Sequence, residues 1–288
     1  MKGLAIAMLV WISGTPLSAV AGAGDCVLGA AAPHVALEAP AAIAKRMREL
    51  VEVEAPGDAR LVLRRQLAAL GCPQLEEQPT NRGTEPNLVC TVPGGGAGLI
   101  VVGTSPEFHG RAAAALLPAL ATTWMHEARQ HTLALVAFSR AKRGEARGAW
   151  AFAESLAESS RPKLFVHIGA VGFGAPSIAP GTDRPGRCAL SSIARTLEIE
   201  LSETTLAQGY SGACRPIALG RQSTVQCIPP LVVRNREATD RAPFERGSTR
   251  IAGIDALVPA APQFDSAQHY RAYRLLASFL VVSDTAPR

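Results

Sequence analysis

Four side chains of metal-ligating type sit where loops leave apolar runs. Glu107 and His109 follow LIVVG (99–103), His167 lies inside KLFVHIG (163–169), and Asp240 lies in TDRAPF (239–244). Imidazole and carboxylate both suit zinc, so these four compose a candidate single-metal site. A surface Glu–His pair and a histidine within a strand is the plainer account, and it carries more weight. Ser105 follows the same apolar run. No G-x-S-x-G elbow surrounds it and Pro106 comes next, which argues against a nucleophile. Arg140, Lys142 and Arg143 form a cationic loop after TLALVAF (132–138). That loop could take an anion or a peptide carboxylate, although a solvated charged loop is the plainer account. His126 and His131 read as complements to a helix C-terminus. His269, beside Tyr270 and Tyr273, reads as partly packed surface on the last helix.

The elements that must position these residues are legible as patterns. LIVVG is a continuous, β-branched run ended by glycine, which fits a strand buried on both faces. Residues 111–129 carry apolar positions at helical spacing. TLALVAF is a second buried strand, and 146–155 is helical again. Two buried strands joined by a helix form a βαβ unit with a right-handed crossover. Ligands of such sheets bind beyond the carboxyl ends of the strands, here 104–109 and 139–145.

Upstream, residues 39–54 and 59–70 read as amphipathic helices, the second capped by Asp58 and ended by Gly71. EEQPTNRGTEP is a polar turn, and NLVCTV (87–92) is a strand. PGGGAG precedes a strand instead of opening a helix, so it reads as a hairpin turn and not a phosphate loop. Downstream, KLFVHIG is a buried strand and 170–187 a long Gly/Pro-rich loop. Residues 191–206 mix helix and strand signals. Residues 214–233 read as β structure, 238–250 as a polar loop, 253–258 as a short strand and 266–282 as a closing helix.

The bounds are those of an exported globular protein. The chain has 288 residues, 48% hydrophobic and 18% charged, with a net charge of +5. Its cations are scattered in short segments without interleaved aromatics, which argues against a nucleic-acid partner. Lys2, the apolar run 3–12 and Ala21-Gly22-Ala23 make residues 1–23 a signal peptide. The run is too short to span a membrane. Asp25 before Cys26 ranks lipidation below plain cleavage. Residues 24–38 read as a linker, and 39–288 as a single domain. Export permits disulfides, and six cysteines allow fifteen connectivities. Cys72 with Cys90 is the first expected pair, and Cys214 with Cys227 would staple a hairpin.

The order of these pieces resembles the secreted zinc aminopeptidases, metallopeptidase family twenty-eight. The resemblance runs over roughly 39–282, through ALGC, NLVCTVPG, LIVVG, LALVAF, GAWAFA, LFVHIG, TDRAPF and GIDALV. It implies a zinc-exopeptidase fold, a three-layer α/β/α sandwich on a mixed, mostly parallel sheet. It also implies two zinc ions bridged by a carboxylate and a water, with a glutamate as general base. The ligand motifs are not kept. Where the family has Gly-Ala-His-Tyr-Asp, this chain has Gly103 to Glu107, with Ser105 at the histidine. The bridging aspartate's stretch shrinks to Phe108–Arg111 and holds no aspartate. The Glu-Glu pair falls near Ala141 and Lys142, beside Arg140. The aspartate of Leu-Asp-Met-Ile-Gly becomes Val166. No histidine stands between Val258 and Ser266. The motif Ser-Asp-His-x-Pro-Phe keeps Asp240, Pro243 and Phe244 but has Arg241 at its histidine.

Cations in place of glutamates would repel two dications by several kcal/mol at an effective dielectric of about 20. The resemblance therefore implies a relative without catalytic or metal residues and without a cofactor, binding a peptide, a carboxylate ligand or a protein partner. The former active-site face would comprise Ser105, Glu107, Arg140, Ala141, Lys142, Val166, Asp240 and Arg241. One alternative is a zinc-dependent exopeptidase with an atypical site built from Glu107, His109, His167 and Asp240. Another is a structural component of the cell envelope.

Overall fold

The computed structural model describes residues 35–53, 56–80, 85–106, 110–139, 147–156, 161–179, 181–203, 214–219, 222–227, 244, 249–256 and 263–285. In chain order the elements are α1 (Pro40–Val51), α2 (Pro56–Ala69), β1 (Gln74–Gln78), β2 (Asn87–Val92), β3 (Leu99–Thr104), α3 (Gly110–Ala114), α4 (Leu116–Met125), β4 (Thr132–Ala137) and α5 (Arg147–Ser155). They continue with β5 (Leu164–Ile168), β6 (Pro176–Ile178), α6 (Arg184–Thr196), β7 (Ser202–Glu203), β8 (Cys214–Leu219), β9 (Gln222–Cys227), β10 (Arg250–Ala256) and α7 (Ser266–Thr285). Eight strands form one sheet in the order β1-β2-β4-β3-β5-β10-β6-β7, and β8 and β9 form a separate hairpin.

The four central strands β4, β3, β5 and β10 are parallel. β1 and β2 add antiparallel on one side, and β6 adds antiparallel on the other. Side chains alternate across this sheet, as strand geometry requires. Ile100, Val102, Leu133, Leu135, Val166 and Ile254 face the layer holding α1 to α4, α6 and α7. Val101, Val136, Phe138 and Phe165 face α5 and Phe244. The result is the expected α/β/α sandwich on a mixed sheet with a parallel centre.

Several expectations need correction. PGGGAG is not a hairpin turn. β2 and β3 both pair with β4 and lie on its opposite sides, so the glycines carry the chain past the start of β4. Gly95 and Gly96 donate to the carbonyls of Arg129 and Gln130 at 2.8 and 2.6 Å. A Cβ on Gly94 would lie 2.3 Å from the His131 carbonyl, so only glycine fits that crossing. The helix expected over 111–129 breaks at Ala115, because Pro118 has no N–H for the Ala114 carbonyl. The polar turn contains edge strand β1, whose glutamates deter edge-to-edge pairing. The Gly/Pro-rich loop contains β6 and leads into α6, whose Asp183 cap accepts from Gly186 N.

Two ties hold the first helices. Gly71, at φ +75°, ends α2 in a Schellman motif, with Cys72 N bonded to Leu67 O and Gly71 N to Ala68 O. Cys72 and Cys90 then form the expected disulfide, closing a sequence separation of 18. Cys188 is also disulfide-bonded. Cys214 and Cys227 stand directly opposite in the hairpin register. Val35 and Leu37, within the expected linker, pack on the core. The signal peptide lies outside the described residues.

Candidate functional site

The carboxyl ends of β3, β4, β5 and β10 share one edge of the sheet, and the loops there define the candidate site. β3 ends at Thr104, whose carbonyl accepts from Phe138 N at 2.8 Å. Ser105 follows and is buried. Gly110, which opens α3, lies against Ser105, and a Cβ on it would come within 1.8 Å of the Ser105 carbonyl.

Val166 sits in the centre of the sheet. It is in register with Val102 on β3 and Ala252 on β10 and is fully buried. At the place where the resemblance puts a metal-binding aspartate, the chain presents an isopropyl group packed under the helices. That group has no lone pair to give a cation. His167, one residue on, points to the other face, between Gly103 and Gly253 in register. Those glycines leave room for neighbouring side chains. A Cβ on Gly103 would meet the Phe138 and Phe165 rings at 2.2 and 3.1 Å. His167 is therefore set beside the aromatic cluster of Phe138, Phe152, Phe165 and Phe244.

Asn87 organises the β4 corner. It is fully buried, accepts from Ser139 N at 3.0 Å, and donates to Gly148 O and Gln78 Oε1, both at 2.8 Å. One side chain thus joins β2, the end of β4 and the first turn of α5. It anchors both ends of the segment that carries Arg140, Ala141 and Lys142. Gly148 is required here, since its Cβ would lie 2.4 Å from Asn87 Oδ1.

Asp255 is a carboxylate at this edge that sequence reasoning passed over. It lies inside GIDALV, read only as a strand. Its Oδ1 accepts from Ala170 N and Ala256 N, both at 2.8 Å. A Cβ on Gly169 would come within 2.6 Å of the carboxyl. An acid at the carboxyl end of an apolar strand was the available signal. Its visible work is to close the loop after β5.

His269, expected on the surface, is buried in α7 with Tyr273, while Tyr270 is half-buried. Its Nε2 lies 2.7 Å from the Ala112 carbonyl of α3 and donates to it. Burial lowers its pKa to about 4, although the Ala112 hydrogen bond opposes that shift. A neutral histidine with its Nε2 proton committed is a core residue. His131, expected at a helix end, instead places Nδ1 2.9 Å from Asp284 Oδ1 at the end of α7. His126 does cap α4.

Of the remaining candidates, Glu107, His109, Arg140, Ala141, Lys142, Asp240 and Arg241 lie outside the described residues. Among the described residues, no three His, Cys, Asp or Glu side chains come together as a metal-binding group. The retained Phe244 stacks on Phe165, with centroids 4.1 Å apart and planes at 12°. That part of the TDRAPF motif serves packing. No described helix is long and apolar enough to cross a membrane.

No protein-family model matches the chain, and no curated protein matches it by sequence. Solved structures do match. The LapA aminopeptidase of Legionella pneumophila superposes with a TM-score of 0.62 at 11% identity, covering 87% of this chain and 73% of that one. A glutaminyl cyclase from an Acidobacteriales bacterium gives 0.62 at 12% identity, over 88% and 98% of the two chains. A zinc aminopeptidase from Bacillus subtilis gives 0.52 at 10% identity, covering 70% of this chain and only 51% of that enzyme. The fold is that of zinc aminopeptidases and glutaminyl cyclases. At these identities the likeness is one of fold alone.

Proposed function

We propose that this is an exported aminopeptidase-like protein that binds ligands at the carboxyl edge of its sheet and has lost the dinuclear zinc site that its resemblance to the secreted zinc aminopeptidases implies. The ligand is a peptide, a carboxylate or a protein partner. The observation that supports this most is Val166, an apolar side chain sealed at the centre of the sheet where the resemblance requires a metal-binding aspartate. The stretch where the resemblance places the bridging aspartate supports it too, because Phe108–Arg111 is short and holds no aspartate. The Cys72–Cys90 disulfide fits an oxidising compartment. The cationic loop of Arg140, Lys142 and Arg143 would favour a carboxylate over a metal pair.

A second reading is a zinc-dependent exopeptidase or cyclase with an atypical site. The near-complete coverage of the glutaminyl cyclase favours it. Metal content separates the two readings. Protein purified without chelators should carry substoichiometric zinc and neither cleave aminoacyl-nitroanilides nor cyclise N-terminal glutamine. Stoichiometric zinc with chelator-sensitive turnover would overturn the first reading.

A further inference from the structure

The outer face of α2 carries a pattern the candidate site does not use. Asp58, Leu61, Arg65 and Ala68 fall within a stripe of about 80° at 100° per residue. They line a groove of about 750 Å³ together with Val53 and Leu75. Within it Leu61 is 55% exposed. Arg64 also lines the groove, and it pairs with Glu77 of β1 at 3.6 Å. Asp58 and Arg65 take no ion pair among the described residues, and they lie before and after Leu61 along the helix, within about 20° of one another around it.

We propose that this stripe is a two-fold interface with a second copy of the chain. The charge pattern selects that partner. If two α2 helices pack antiparallel about a dyad between positions 61 and 62, residue 58 of one copy faces residue 65 of the other. Both Asp58–Arg65 pairs then form at once and enclose the two Leu61 side chains. An isologous contact needs such self-complementarity, whereas a different partner does not. Antiparallel packing also sets the negative end of each α2 against the positive end of its mate. The exposed leucine supplies the apolar centre and the charges supply the polar rim.

Sedimentation equilibrium of the mature chain from about 1 to about 100 µM tests this, since association in that range is readily resolved. The wild type should dimerise with concentration. Leu61→Glu should weaken association by about 100-fold or more, as expected for a central anchor. Asp58→Arg and Arg65→Asp should each weaken it by about 10-fold through like-charge contacts. The double swap, Asp58→Arg with Arg65→Asp, should restore it to near the wild-type value, because the same pairs form with reversed sign. Circular dichroism of each variant separates lost association from lost folding. A monomer at every concentration, a dimer indifferent to Leu61→Glu, or a double swap no stronger than the single ones would overturn the proposal.

Discussion

The two edges of the sheet are both closed by a carboxylate, and they use it differently. At the amino edge Asp284 is almost fully buried and takes three hydrogen bonds, from Gln130 N, His131 N and His131 Nδ1. They fasten the end of α7 to the turn before β4. At the carboxyl edge Asp255 is half-buried, and its Oδ1 accepts from Ala170 N and Ala256 N. The first is a sealed structural lock. The second closes a loop at the margin where sheets of this kind bind ligands. A buried polar group is expensive to orphan, whereas a part-exposed one can turn to water. The amino edge should therefore be the more fragile of the two under substitution.

The largest effect is expected from Asp284→Ala. It orphans two backbone N–H groups and a histidine beneath α7 and should cost about 3–5 kcal/mol, read from the urea midpoint. A cost below that of Asp255→Ala would reverse the comparison. Acid should expose a second buried lock, His269. Its folded pKa of about 4 lies below the unfolded value near 6.5, so the unfolded chain binds more protons in between. The stability this histidine contributes is present above pH 6.5 and lost as pH falls through about 4. The change approaches about 3 kcal/mol, at 1.36 kcal/mol per pH unit. His269→Leu should flatten that part of the stability–pH curve, and an unchanged slope would assign the acid sensitivity elsewhere.

At the carboxyl edge, Asn87→Ala leaves Ser139 N and Gly148 O without their shared partner. It should cost about 2–3 kcal/mol and loosen the segment after β4, which limited proteolysis would detect. Asp255→Ala should be the mildest, about 1 kcal/mol, because both hydrogen bonds it takes are only part-buried. If Asp255→Ala also weakened binding of a carboxylate-bearing peptide by more than its stability cost explains, the residue would belong to the site as well as to the loop.

The central strands were legible because burial on both faces forces continuous β-branched runs, as in LIVVG and TLALVAF. β1 was missed because QLEEQ is a polar edge strand with no apolar face to show. PGGGAG misled because a hairpin and a strand-skipping crossover ask for the same glycines, and only pairing distinguishes them. The break at Ala115 was readable from Pro118. The side-chain types at Val166 and Ser105 were readable residue by residue, since folding cannot change their chemistry. The role of Asn87 was not, because it lies in backbone groups 52 and 61 residues away, and Asp255 showed only as an acid ending an apolar strand, not as the acceptor for Ala170 N.

By itself the sequence determined which side chains are available: a valine in the middle of β5, glycines where the backbone must pass closely, and a cysteine after α2 that could meet one in β2. Tertiary structure decided what each was for. It buried His269 on the Ala112 carbonyl, gave Asp284 to the turn before β4, and turned His167 away from the face that Val166 occupies. The reason is physical. A side chain's chemistry is local, whereas its desolvation, its partners and the face it points to are set by contacts between residues that lie as far apart as His131 and Asp284.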